Sequence, residues 1–169
     1  GHSDSNATGD KSEDSRGGKD FWAVKVDASG NKIWDKRFGG SGDDECNDVI
    51  PTSDGGYLLA GHSSSPADGD KSEGSRGNSD FWVVKIDASG TKLWDKRFGG
   101  SSYEFCAAAV PSSDGGYLIA GESWSGASGD KSEGSRGSLD FWIVKIDASG
   151  AKLWDKRFGG SGADAARDI

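Results

Sequence analysis

The chain repeats itself every 60 residues, and that period constrains its fold more than any local propensity does. Asp20-Phe21-Trp22 returns as Asp80-Phe81-Trp82 and Asp140-Phe141-Trp142, and Gly1 aligns with Gly61 and Gly121. Between Gly69–Ser101 and Gly129–Ser161 only 4 of 33 positions differ: Asn78/Ser138, Ser79/Leu139, Val83/Ile143 and Thr91/Ala151. Copies this alike must fold alike. The organisation is therefore repeat 1 over 1–60, repeat 2 over 61–120, and a truncated repeat 3 over 121–169 that stops short of a counterpart to Pro51–Ala60 and Pro111–Ala120.

Each repeat reads as four strands. Glu104–Pro111 is a short apolar run, and Ser112-Ser113-Asp114-Gly115 is a turn whose Asp-Gly pair supplies a positive φ. Gly116–Gly121 then returns as the second arm of a hairpin. The third strand, Asp80–Asp87, points Phe81, Val83 and Lys85 one way and Trp82, Val84 and Ile86 the other. Apolar residues on both faces require a sheet on either side. Ala88-Ser89-Gly90 turns into a fourth strand, Lys92–Phe98, with Trp94, Lys96 and Phe98 on one face and Leu93, Asp95 and Arg97 on the other; its charges predict a partly wetted outer strand. The one long connection, Ser63–Ser79 and again Ser123–Leu139, is rich in Gly, Ser, Asp and Lys and reads as a loop.

The predicted fold class is all-β: β-propeller blades of four antiparallel strands, with the array incomplete in this chain. An open superhelix or a flat stack of sheets has the same local pattern and stays open as an alternative. A closed ring needs ~4–8 blades, so fewer than three full copies should not close alone. The unpaired edges predict either embedding in a longer chain with further repeats, or head-to-tail pairing with other copies of the chain into a ring or filament.

Several segments carry a resemblance. Asp-Gly-Gly-Tyr-Leu-Ile-Ala-Gly from Asp114, Asp-Phe-Trp-Ile-Val-Lys-Ile-Asp from Asp140, Gly150 with Trp154, and Phe158-Gly159-Gly160-Ser161 resemble the secreted, propeller-forming repeats of bacterial and archaeal cell-surface proteins. A strand ending in Asp, a Ser-Gly turn and a Trp-bearing strand are also similar to the blades of quinoprotein-type propellers. That likeness implies that Asn47–Thr52 forms the innermost strand. It implies architecture only, because a fold hosts many functions; no quinone and no other organic cofactor is expected. The cell-surface family is defined by fold and location, so it lends no catalytic residues to this chain.

Composition narrows the function classes. The formal net charge is −8 with Lys and Asp interleaved, which argues against nucleic acid as a partner, since that partnership leaves a basic stripe. No stretch approaches the ~20 apolar residues that span a bilayer. The two histidines, His2 and His62, are equivalent positions whose third copy is Glu122, so neither a Ser-His-Asp nor a Cys-His set can be assembled locally, and an enzyme is not expected.

The strongest chemical signal lies in the long loop. Asp68-Gly69-Asp70-Lys71-Ser72 alternates oxygen side chains as calcium loops do, and Asp80 follows at the head of a buried strand. Asp10 and Asp130 are the equivalents of Asp70, whereas Thr8 and Ser128 replace Asp68. Asp68, Asp70, Ser72, Asp80, Asp10 and Asp130 are thus candidate Ca2+ ligands, against the simpler reading of a solvated loop held by Asx turns. Trp124 is a candidate contact for a glycan or protein ligand, because Asp4 and Ser64 stand at its equivalents. Copies also diverge at Asp43/Tyr103/Ala163, Glu45/Phe105/Ala165 and Asn47/Ala107/Arg167. Cys46 and Cys106 share a position that is Ala166 in repeat 3, which favours a buried small side chain over a disulfide between neighbouring blades. Asn6-Ala7-Thr8 fits a glycosylation acceptor and hints at an extracellular setting. These features lead to the expectation of a noncatalytic extracellular or cell-surface structural or adhesion module; the alternative is a lectin-like propeller that binds ligand on one loop face.

Overall fold

A computed structural model describes residues 1–165 and 167–169, which leaves Ala166, the third-copy counterpart of the cysteines, outside the described residues. The described residues hold eleven strands: β1 (His2–Ser3), β2 (Asp20–Val26), β3 (Lys32–Phe38), β4 (Asp44–Pro51), β5 (Tyr57–Ser63), β6 (Asp80–Ile86), β7 (Lys92–Phe98), β8 (Glu104–Pro111), β9 (Tyr117–Ser123), β10 (Asp140–Ile146) and β11 (Lys152–Phe158). They make three antiparallel sheets, β1-β2-β3, β4-β5-β6-β7 and β8-β9-β10-β11. The chain is all-β, and its two complete sheets are the predicted four-stranded units. Among the described residues the sheets do not close on themselves.

The turns follow from the residues at them. Gly55 and Gly115 sit at φ 82° and 86°, in the left-handed region that the Asp-Gly hairpins demand. In the next turn Asp87 Oδ1 accepts from the backbone N–H of Ser89 at 2.8 Å and of Thr91 at 2.9 Å, an Asx arrangement that fixes the β6–β7 register.

The sheets stack face to face, and β6 is buried along its whole length, as the doubly apolar pattern requires. Its Trp82, Val84 and Ile86 pack with Phe21 and Phe38 of the first sheet. Its Phe81 and Val83 pack with Trp142, Val144 and Ile119 of the third. Phe21 lies 4.7 Å from Trp82 and Phe81 lies 5.0 Å from Trp142, ring centre to ring centre, so each joint repeats one aromatic pair. Gly61 makes the first pair possible: a Cβ there would stand 2.7 Å from the Phe21 ring and 2.0 Å from the Glu45 carbonyl oxygen.

The recurrence in register of Trp22, Trp82 and Trp142, and of Trp34, Trp94 and Trp154, predicts repeated core, and the charges of Lys92–Phe98 predict a partly wetted outer strand; both expectations need correction. Trp82 and Trp142 are fully buried, but Trp22, Trp34 and Trp94 are half-buried and Trp154 is 43% exposed, so only part of the tryptophan ladder is core. Trp82 and Trp142 are covered by the sheet before them, which Trp22 lacks, and Trp34 and Trp94 are partly covered by the sheet after them, which Trp154 lacks. Secondly, the outer strand is not wetted at its charges: Asp95 and Arg97 are buried, while Leu93 on the same face is exposed. Hydrogen bonds, described next, account for that inversion.

Candidate functional site

The long loop after β5 folds back over its own sheet and then reaches the preceding one. Lys71 Nζ donates to the Ser65 carbonyl at 3.2 Å and to Ser75 Oγ at 3.1 Å, which pins the loop to its own base. Burial pulls the Lys71 ammonium down to about 8. Ser72 N–H and Trp82 Nε1 both donate to Asp95 Oδ2, at 2.9 and 3.1 Å, and Lys92 Nζ lies 2.8 Å from Oδ1. Burial works against the Asp95 charge, but the bonds from Lys92, Ser72 and Trp82 outweigh it and hold the carboxyl below its ordinary range.

From that base the loop's acidic residues point at the neighbouring sheet. Asp70 N–H donates to the Gly39 carbonyl at 3.0 Å. Its Oδ2 lies 2.6 Å from Arg16 Nη1 and 3.4 Å from Arg37 Nη1, and accepts from Gly39 N–H at 3.3 Å. Asp68 Oδ1 accepts from Ser41 N–H at 3.0 Å. The second joint repeats the set: Asp130 meets Arg76 at 2.7 Å and Arg97 at 3.7 Å, its N–H donates to Gly99, and Ser128 Oγ takes the Ser101 N–H at 3.1 Å. These loops latch one sheet to the sheet before it.

The predicted calcium ligands are accordingly dispersed. Asp68 and Asp70 face the preceding sheet, while Ser72 donates its N–H back to Asp95. Asp80 is buried, with Oδ2 on the Arg76 N–H at 2.5 Å and Oδ1 without a partner. Burial, with Glu104 beside it, raises the Asp80 carboxyl to about 6. Among the described residues no three His, Cys, Asp or Glu side chains gather at metal-binding distance. Asp10, the first-copy equivalent of Asp70 and Asp130, is exposed and has no ion pair among the described residues.

A second cluster forms where the copies differ. The His62 ring lies 4.7 Å from Phe105, Phe105 lies 5.3 Å from Trp124 at 71°, and Tyr103 closes the group at 5.9 Å from Phe105 and 6.4 Å from Trp124. Trp124 is half-buried by these rings, not fully open, and Tyr103 is 44% exposed. On one side is a cleft of about 520 Å³ whose polar lining is Glu45, Asn47, Glu122 and Arg167; on the other a smaller hollow of about 200 Å³ reaches Asp43, Ser64 and Asn78. Burial lowers the His62 pKa, with Glu45 opposing it. Neutral imidazole, carboxylates and an amide over aromatic rings suit a polar ligand with an apolar face.

Sequence reasoning placed Trp124, Tyr103 and Phe105 at variable positions but did not join them, and it overlooked His62 as a ring of the same cluster. The register Phe105↔Glu122 places Phe105 near Trp124 within one sheet, whereas His62 reaches Phe105 from the neighbouring sheet, which no local signal announces. Cys46 and Cys106 are buried free thiols, and burial pushes both pKa values up. Among the described residues no helix is long and apolar enough to cross a membrane.

Neither a family model nor a curated protein matches the chain.

Proposed function

We propose that the chain is a noncatalytic scaffold module of an extracellular or cell-surface protein, its sheets serving as blades of a β-propeller that presents one variable face. The observation that carries this reading is the division of labour between copies. The joints keep the same residues, Asp70 with Arg16 and Asp130 with Arg76, while divergence concentrates at His62, Tyr103, Phe105 and Trp124. A constant frame with one variable face is what structural and adhesive repeats require. Asn6 and Thr8 are both exposed, which suits a glycosylated surface loop. Curvature is the test of the propeller. A chain of concatenated 60-residue units should give closed discs by electron microscopy, and straight or helical stacks would overturn it.

A second reading is favoured by the aromatic cluster: a lectin-like site in which a sugar stacks on Tyr103 beside Trp124 while Asp43, Ser64 and Asn78 of the smaller hollow take its hydroxyls. Glycan-array binding that disappears in Trp124→Ala would establish it.

A further inference from the structure

The two outer faces of the chain are the two halves of its own internal joint. At each internal joint the later sheet contributes a tryptophan, a valine and a loop aspartate, and the earlier sheet contributes a pair of phenylalanines and two arginines. Trp82, Val84 and Asp70 meet Phe21, Phe38, Arg16 and Arg37; Trp142, Val144 and Asp130 take the same places against Phe81, Phe98, Arg76 and Arg97. The front of the first sheet carries the unmatched first set, Trp22, Val24 and Asp10. The back of the third carries the unmatched second set, Phe141, Phe158, Arg136 and Arg157.

Exposure marks these residues as uncovered joint surface. Phe158 is 53% exposed, whereas its equivalents Phe38 and Phe98 are 5% and 4%. Val24 is 42% exposed, whereas Val84 and Val144 are fully buried. Leu93 and Leu153 serve as the control: at 54% and 55% they are equally exposed in an interior and an outer sheet, so they belong to the rim and not to the joint. The charges match as well. Arg157 has Glu133 at 3.3 Å and Asp140 at 3.7 Å but no counterpart of the loop aspartate that its equivalents Arg37 and Arg97 meet at 3.4 and 3.7 Å, and Arg136 Nη1 reaches only the Gly159 carbonyl at 3.4 Å. The Asp10 carboxylate, at the opposite end, has no ion pair among the described residues; Lys32 Nζ donates to the backbone carbonyl of Asp10 and pairs with Asp35 instead. The chain near Asp164 is already set: Asp164 Oδ2 accepts from Gly160 N–H at 2.7 Å, as Asp44 does from Gly40 at 2.9 Å. In the second sheet Ser65 Oγ then donates to Asp44 of β4 at 2.8 Å; its equivalent, Ser5, is exposed beside the first sheet, which among the described residues has no counterpart of β4.

We infer that two copies of this chain dock head to tail, the front of one on the back of the other, with Asp10 seated between Arg136 and Arg157 of its neighbour and Ser5 beside that neighbour's Asp164. The inference rests on the scaffold reading above and names its partner as a second copy. Continuity identifies the occupant, because the same interface is built twice within the chain. A heterologous contact of this kind repeats until it closes or runs on.

The test is a charge exchange read by sedimentation velocity across a concentration series. Wild-type chain should self-associate. Asp10→Arg and Arg136→Asp should each weaken association by about ten- to hundredfold, since each sets like charges against one another. An equimolar mixture of the two variants should recover it, because both the exchanged and the original pairs then match. Asp10 and Arg136 are exposed and have no ion pair among the described residues, so each variant should melt like the wild type, which separates lost docking from lost folding. A monomeric wild type, or association indifferent to both variants, overturns the interface and leaves the propeller reading standing. Recovery in the mixture with one closed oligomer size supports interface and ring together; recovery with an open-ended size distribution supports the interface and overturns the ring.

Discussion

The indole N–H of Trp82 donates to the carboxylate of Asp95 at 3.1 Å, tying the third strand of a sheet to its fourth. The pair recurs as Trp22 with Asp35 at 3.1 Å and Trp142 with Asp155 at 3.0 Å. It explains how an aspartate on an outer strand comes to be buried. Trp82→Ala should destabilise the fold by about 3–5 kcal/mol through the cavity it leaves. Trp82→Phe should cost about 1–3 kcal/mol, chiefly because a buried carboxylate loses a donor. Ser64→Ala, at an exposed position, should change stability by about 0.5 kcal/mol or less. Denaturant melts that gave all three the same small effect would remove Trp82 from the core.

The latch between sheets should appear as a coupling energy. Asp70→Ala leaves the buried Arg37 with only Glu13, at 3.5 Å, and should cost about 1–3 kcal/mol. A double-mutant cycle of Asp70 with the more exposed Arg16 should return about 0.5–1 kcal/mol. Equal coupling in millimolar calcium and in chelator is the expected outcome, because the guanidinium groups of Arg16 and Arg37 beside Asp70 repel a divalent cation. A melting temperature that rises with calcium in the wild type but not in Asp70→Asn would return the loop to the metal.

Acidity acts through Asp80. Its carboxyl titrates near 6 when folded, above its ordinary value of 3.8, because burial and the adjacent Glu104 disfavour the charge. The folded state therefore binds the extra proton between those two values, and the Asp80 contribution to stability falls as pH rises from about 4 to about 6. Two pKa units correspond to roughly 3 kcal/mol. Asp114 has the opposite sign: the hydrogen bond from Lys145 lowers it to about 2, so its contribution is lost as pH falls towards that value. Asp80→Asn should flatten the stability profile between about pH 4 and 6 in urea titrations. An unchanged slope would mean that Asp80 is not the titrating group.

Ligand contact at the variable face should depend on the ring cluster. Trp124→Ala and Tyr103→Ala should each reduce glycan binding about tenfold or more, as removal of a stacking aromatic does at well-packed contacts. Leu93→Ala, on an exposed rim, should leave binding unchanged. Binding insensitive to Trp124 would move the site elsewhere.

Much of the fold is legible in the repeat itself. The strand Glu104–Pro111 and the strand Lys92–Phe98 have the bounds read from the sequence, and Phe81/Val83 against Trp82/Val84 divide between two neighbouring sheets as their alternation predicts. What the pattern hides is partnership across 60 residues. Asp70 looks like a metal ligand because its neighbours at 68 and 72 also carry oxygen, and nothing local announces that Arg16 arrives from another sheet. Asp95 looks wetted because it is charged, and only its three donors show otherwise. The ring cluster is half visible for a related reason: divergence marks Tyr103, Phe105 and Trp124, but His62 reaches Phe105 from the neighbouring sheet, and that packing of sheet on sheet is a property of the folded chain.

Both halves of every joint travel in one unit: the loop that sends Asp70 backwards carries, a few residues later, the Arg76 that receives Asp130 from ahead. A copying event that inserts or deletes one whole period therefore inserts or deletes a finished contact and leaves all the others matched. Unequal crossing-over between stretches as alike as Gly69–Ser101 and Gly129–Ser161 would do this without any compensating substitution. Array length, and with it the number of variable faces on display, is a trait that recombination can change in a single step.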